Sequence, residues 1–169
     1  MGAFNVIHLE SAEAIATGAE AAGRPVIMQI SENCVRYHGG LAPIARATQA
    51  IAASATVPVA VHLDHATDVG LVTEAIELGF DSVMFDGAHL AYDVNCQTTA
   101  EVVRSAHNRG IAVEAELGEI GGKDGAHAPG VRTDPAEAVE FAALTGVDAL
   151  AVAVGSKHAM TERSAVLDL

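Results

Sequence analysis

Short β-branched runs alternate with longer Ala-rich segments of helical period along the 169 residues, and a chain with that alternation builds repeated βαβ units around a parallel sheet. Six strands are predicted, at Ala3–Ile7, Pro25–Ile30, Val57–Leu63, Ser82–Phe85, Ile111–Glu116 and Ala149–Val154. Helices are predicted at Glu10–Ala22, Leu41–Ala55, Val69–Leu78, Val94–Asn108 and Ala136–Thr145. A glycine follows four of these helices (Gly23, Gly79, Gly110, Gly146), where a left-handed cap favours a residue without a Cβ, and Asp134-Pro135 reads as an N-cap followed by a first-turn proline.

Periodicity alone does not separate a doubly wound open sheet from a closed barrel. The polar residues favour the barrel. His8, Ser31 with Glu32, Asp64 with His65, Asp86, Glu116 and His158 all fall at or just past the ends of successive strands. A barrel gathers every strand end around one mouth, whereas an open sheet concentrates its site at one switch point.

Half of the residues are hydrophobic, enough for the core of one domain. Nine basic residues against 22 acidic ones leave a net charge of −13, which disfavours nucleic acid and anionic membrane surfaces as partners. A small anionic substrate stays compatible, because a metal ion and helix N-termini invert the field locally. Cys34 and Cys96 have neither CxxC spacing nor a disulfide-rich context, so reduced thiols and a cytoplasmic location are expected. No apolar run reaches the ~18 residues of a membrane span, and the N-terminus lacks a signal-peptide layout.

The chemistry concentrates at His62-Leu63-Asp64-His65. Strand alternation sends Asp64 and His65 to opposite faces unless the strand is already turning. A turning strand end would place His65 on a metal and leave Asp64 to exchange a proton with substrate. Alone, the motif reads as readily as two solvated strand-end side chains. Joint placement with His158, Asp86 and Glu116 favours a site, and that mix of imidazole and carboxylate suits zinc. Glu114-Ala115-Glu116-Leu117-Gly118 runs into a loop with four glycines within eight residues, which reads as a mobile loop or a close approach to a ligand, and equally as a plain connector. Neither GxGxxG nor a Walker pattern is present.

The ordered set Gly2-Ala3-Phe4-Asn5, Gln29-Ile30-Ser31, His62-Leu63-Asp64-His65, Met84-Phe85-Asp86, Glu114-Ala115-Glu116-Leu117-Gly118 with Gly121-Gly122, and Val154-Gly155-Ser156-Lys157-His158 resembles class II ketose-bisphosphate aldolases along nearly the whole chain. The resemblance implies a TIM-type (β/α)8 barrel, incomplete here, and zinc-dependent cleavage of a fructose- or tagatose-bisphosphate-like sugar to dihydroxyacetone phosphate and an aldehyde. It implies His65 and His158 as zinc ligands, Asp64 as the proton-exchanging acid, and Asp86 and Glu116 at an alternate metal position or orienting the inner ligands. Asn5, Ser31 and Gly155 would contact substrate.

Against that pattern, the sequence reads as a single domain over residues 1–169, a partial barrel of about six βα units. A full barrel takes ~250 residues. The lead-in helix and last two units are expected to be missing, and with them a third zinc histidine and a phosphate loop. A sixth helix is expected to start at Glu162. Ala159 and Lys157 depart from the family pattern, and Lys123 and Asp124 follow Gly122 where a glutamate base is known in relatives, which makes Asp124 the candidate loop base. A homo-oligomer is expected. Two other readings stay open: a Schiff-base aldolase using Lys157, and a noncatalytic assembly module whose exposed edge strands pair with another chain.

Overall fold

The computed structural model describes residues 1–118, 132–155, 161–162 and 166–167. The elements run in chain order β1 (Gly2–Asn5), α1 (Leu9–Ala22), β2 (Val26–Ser31), α2 (Glu32–His38), α3 (Ala42–Ser54), β3 (Val59–Ala66), α4 (Val69–Leu78), β4 (Ser82–Phe85), α5 (Tyr92–His107), β5 (Ala112–Glu116), α6 (Pro135–Thr145) and β6 (Ala149–Ala151). The six strands form one sheet in sequential order, and every neighbouring pair is parallel. This is the strand order of a barrel wall, with no switch point.

The principal core lies between the sheet and its helices. Met28, Ile30, Val61, Leu63, Val83 and Phe85 from the strands meet Ala12, Ile44, Val72, Ile76 and Val102 from the helices. Alternation along β2 buries Val26, Met28 and Ile30 and half-buries Ile27, Gln29 and Ser31. Its polar Gln29 thereby faces away from the aliphatic layer.

Three expectations need correction. Ser31 does not simply end a strand: its hydroxyl accepts from the Cys34 N–H and caps α2, a seven-residue helix that periodicity missed because it is too short to show an apolar stripe. The first strand stops at Asn5, so His8 is the N-cap residue of α1 and not a strand-end group. The last strand stops at Ala151, short of Val154. The helix expected from Glu162 falls largely outside the described residues.

One device recurs and was not anticipated. In Gly79-Phe80-Asp81 and Gly146-Val147-Asp148, a glycine with φ 78° or 74° ends a helix, and the aspartate two residues later turns back onto the preceding strand. Asp81 accepts the Val61 N–H at 2.7 Å, and Asp148 accepts the Val113 N–H at 2.7 Å. Their own backbone N–H groups donate to the carbonyls of Val61 and Val113. Each aspartate thus sets the register at which β4 and β6 begin. Asp148 also binds His107 Nε2 at 2.9 Å, and this contact, with the Val113 N–H, holds its carboxyl below the ordinary 3.8.

Asp148→Ala is expected to cost about 1 kcal/mol, mostly through the Val113 N–H, because the half-exposed His107 pair is screened. A depressed acid stabilises the fold fully above its unfolded value and loses the contribution as pH falls through the folded one. Urea unfolding should therefore show the wild-type advantage at pH 7 and a narrowing gap below pH 3.8.

Candidate metal and proton-transfer site

The strand β3 does not keep its alternation to the end. Its pairing with β4 is regular at His62↔Ser82 and Leu63↔Val83, then shifts before Ala66↔Phe85. Within the irregularity, His65 has φ 48°, the one non-glycine positive φ among the described residues. That left-handed conformation costs roughly 1–3 kcal/mol and persists only where its surroundings impose it. Its effect is geometric. Asp64 and His65, adjacent in sequence, both line one cleft of about 620 Å³ with Asn5, Ser31, Asp86 and His89.

Neighbouring strands hold the pair in place. Gln29 Nε2 on β2 donates to Asp64 Oδ1 at 2.9 Å. His65 Nδ1 lies 3.0 Å from Asp86 Oδ2, just after β4, and 3.5 Å from Glu116 Oε2 at the end of β5. Asp86 is also fixed through its backbone, whose N–H donates to the Ala66 carbonyl at 2.8 Å. One donor atom from each of His65, Asp86 and Glu116 falls within 4.8 Å of the others. Asp86 and Glu116 are buried, at 4% and 0% exposure, while His65 is partly open to the cleft.

The hydrogen bond to Asp86 raises the His65 pKa above its ordinary 6.5, with the carboxylates of Asp64 and Glu116 adding to it and burial opposing it. His62 has the opposite fate. It shares the Asp64 face of β3 but lies one layer deeper, bonded to Ser82 Oγ at 2.7 Å, and burial lowers its pKa. It is a barrel-interior residue and does not reach the cleft lining among the described residues. Glu114, beneath Glu116 on β5, is raised by burial and by the nearby Asp64 carboxylate.

Of the residues singled out from sequence, Asn5, Ser31, Glu32, Asp64, His65 and Asp86 line the cleft, and Glu116 stands behind His65. Gly155 has φ 110°, and a Cβ there would run into the Arg132 guanidinium. It is not among the described residues that line the cleft. His158, Lys157 and Asp124 lie outside the described residues.

Sequence reading passed over Asn95 and Thr99, which support the site from α5. Asn95 Nδ2 donates to the Glu116 carbonyl at 3.1 Å, and the Thr99 hydroxyl donates to Asn95 Oδ1 at 2.9 Å. Both side chains are buried. Their signal was an amide and a hydroxyl four residues apart on the apolar face of a helix. Gly87 is required by the same packing, since a Cβ there would collide with the Asn95 amide.

Residues 1–169 match the family model described as fructose-bisphosphate aldolase class-II. The chain belongs to this family. It is 44% identical over 162 residues to the probable fructose-bisphosphate aldolase of Bacillus subtilis strain 168, covering 94% of this chain and 57% of that protein. Identity to the fructose-bisphosphate aldolase of Staphylococcus aureus strain Mu50 is 41% over the same coverage. Among solved structures, a putative fructose-1,6-bisphosphate aldolase from Coccidioides immitis superposes with a TM-score of 0.86 at 36% identity, covering 99% of this chain and 60% of that one. The YdjI aldolase of Escherichia coli K12 superposes at 0.84 with 32% identity, covering 99% and 59%. The chain thus spans little more than half the length of these aldolases, and its six parallel strands are a sector of a TIM-type barrel.

In metal-free protein, the His65–Asp86 ion pair stabilises the fold fully below pH 6.5 and is lost as pH rises through the raised His65 value. An NMR titration should place the His65 imidazole above 6.5, and Asp86→Asn should bring it down. Asn95→Leu is expected to destabilise by about 1–3 kcal/mol in urea unfolding, because the buried Glu116 carbonyl loses its side-chain donor.

Proposed function

We propose that this chain carries the proton-transfer group and the first metal ligands of a zinc-dependent aldolase, which cleaves a ketose bisphosphate to dihydroxyacetone phosphate and an aldehyde. The observation that supports this most is the convergence of His65, Asp86 and Glu116 beside Asp64 at one cleft, in a class II aldolase chain. One imidazole with two carboxylates within 4.8 Å is a combination of residue types that suits zinc, with the carboxylates either as ligands or as the groups that orient the ligating imidazole. When bound, the ion supplies Lewis-acid stabilisation of the negative charge that develops as the carbon–carbon bond breaks.

The residues divide the remaining work. Asp64 takes the proton from the hydroxyl that becomes the aldehyde in cleavage and returns it in condensation. Its tie to Gln29 holds one carboxylate oxygen still, so the acid meets the substrate in a fixed orientation. Asp86 acts on His65 as carboxylates act on ligating imidazoles, bonding one ring nitrogen so that the tautomer and ring plane are set. Nε2 would then be the nitrogen left for a metal, and Glu116, 3.5 Å from Nδ1, would reinforce that orientation or serve an alternate metal position. His158 is assigned as the second imidazole ligand, Asp124 as the loop base, and Asn5, Ser31 and Gly155 as substrate contacts.

The net charge of −13 leaves recognition of the sugar phosphates to local groups. Arg36, which is paired with Glu32, lines the cleft and places a cationic side chain there, and His89 adds an imidazole able to hydrogen-bond. The edge of β1 is unpaired among the described residues, with Phe4 about half exposed. In a closed barrel the last strand would cover that edge, and a homo-oligomer is included in the proposal independently of it. A cytoplasmic setting suits the two free thiols, and no helix among the described residues is long and apolar enough to cross a membrane.

The purified chain is expected to bind zinc by elemental analysis; without the phosphate loop of the missing units its cleavage of fructose or tagatose 1,6-bisphosphate is expected to be weak, and whatever cleavage it has should be chelator-sensitive. Asp64→Asn should reduce turnover by roughly 10²–10⁴-fold while bound zinc is retained. Cleavage by metal-free protein that ignores chelator would overturn the proposal. Light scattering reads the oligomer, and a stable monomer counts against that part.

A further inference from the structure

A largely buried carboxylate with no part in the proton transfer above stands in the cleft wall beside the bend at His65. Glu32 is the first residue of α2, is 8% exposed, and reaches across to the loop that follows β3. Its Oε2 accepts from the Thr67 N–H at 2.6 Å and from the Thr67 hydroxyl at 2.9 Å. Its Oε1 is paired with the guanidinium of Arg36, one helical turn on. Taking a carboxylate out of water is costly, and this one is compensated by a backbone donor, a hydroxyl and a cation.

The position of the bonded amide gives the arrangement its meaning. Thr67 follows His65 by two residues, so Glu32 grips the main chain where it leaves the left-handed residue. The gripping end is itself anchored. Ser31 caps α2 through the Cys34 N–H, and His38 Nε2 lies 2.7 Å from the Ile7 carbonyl beyond β1. On the opposite side of the bend, the Asp86 N–H holds the Ala66 carbonyl. The main chain around the strained residue is thus clamped by β4 at Ala66 and by α2 at Thr67.

We propose that Glu32 is a positioning residue: its clamp on Thr67 holds the His65 backbone in the conformation that presents the imidazole to the metal. The inference rests on the reading of His65 as a metal ligand. A carboxylate serving only to tie α2 to its neighbour would affect the stability of the fold and leave the metal site as it is.

Three variants separate these cases. Glu32→Ala removes the acceptor, Glu32→Gln keeps an oxygen for the Thr67 N–H, and Thr67→Val removes only the hydroxyl bond. Zinc affinity is measured by competition with a chelator well below the unfolding temperature. The visible bands of the cobalt-loaded protein report ligand geometry, and hydrogen exchange of the 65–67 amides is followed in metal-free protein. Glu32→Ala should weaken zinc roughly 10–100-fold, shift the cobalt bands and release the Thr67 amide. Glu32→Gln should recover most of the affinity, and Thr67→Val should weaken it by a few-fold.

Wild-type zinc affinity, cobalt bands and amide protection in Glu32→Ala, even with a lowered Tm, would overturn the proposal. Should Glu32→Ala not fold, Thr67→Val decides, and unchanged affinity and bands there overturn it equally. Failure of the wild-type chain to take up zinc or cobalt defeats the metal reading and this inference with it. In that case exchange at residues 65–67 shows only whether Glu32 braces the bend.

Discussion

A β-strand sends successive side chains to opposite faces, and the site depends on the point where β3 stops doing so. Had the alternation continued, Asp64 would face the barrel interior and His65 the helical layer. The shift in pairing with β4 and the positive φ of His65 put both at one cleft. Each group around them meets a requirement of that bend. Gln29 fixes Asp64, Asp86 fixes the His65 ring, and hydrogen bonds at Ala66 and Thr67 hold the chain that leads away.

The surroundings also explain how several ionisable groups coexist in a small volume. Asp64, Asp86 and Glu116 are all buried or nearly so, and like charges at that spacing repel. The hydrogen bond to Asp86 and, after it, the neighbouring carboxylate charges favour the charged imidazole of His65 despite burial, and a protonated His65 relieves the repulsion in metal-free protein. A divalent cation would do the same more strongly. The burial of Asn95 and Thr99 behind Glu116 shows that the second layer is built of satisfied polar bonds and not of aliphatic packing alone.

Much of the plan was legible in the chain. Five of the six helices and all six strands among the described residues follow from apolar stripes of helical period ten or more residues long, from the short β-branched runs between them and from glycine at helix ends. The polar residues at successive strand ends were legible as one site for a related reason: in a parallel sheet, all strands end at the same side. The helix α2 was not legible, since seven residues give no stripe and its placement comes from Ser31, Glu32 and their partners.

By itself, the sequence determined the fold class, the family, and the candidates Asp64, His65, Asp86 and Glu116, because these depend on local period and on residue type at strand ends. Only the tertiary structure decided which of them meet. The separation of His62 from the cleft, the left-handed backbone at His65 and the reach of Glu32 to Thr67 all depend on residues at least 20 positions apart. No local pattern encodes such contacts; they arise where the curvature of a parallel sheet brings neighbouring strand ends into register.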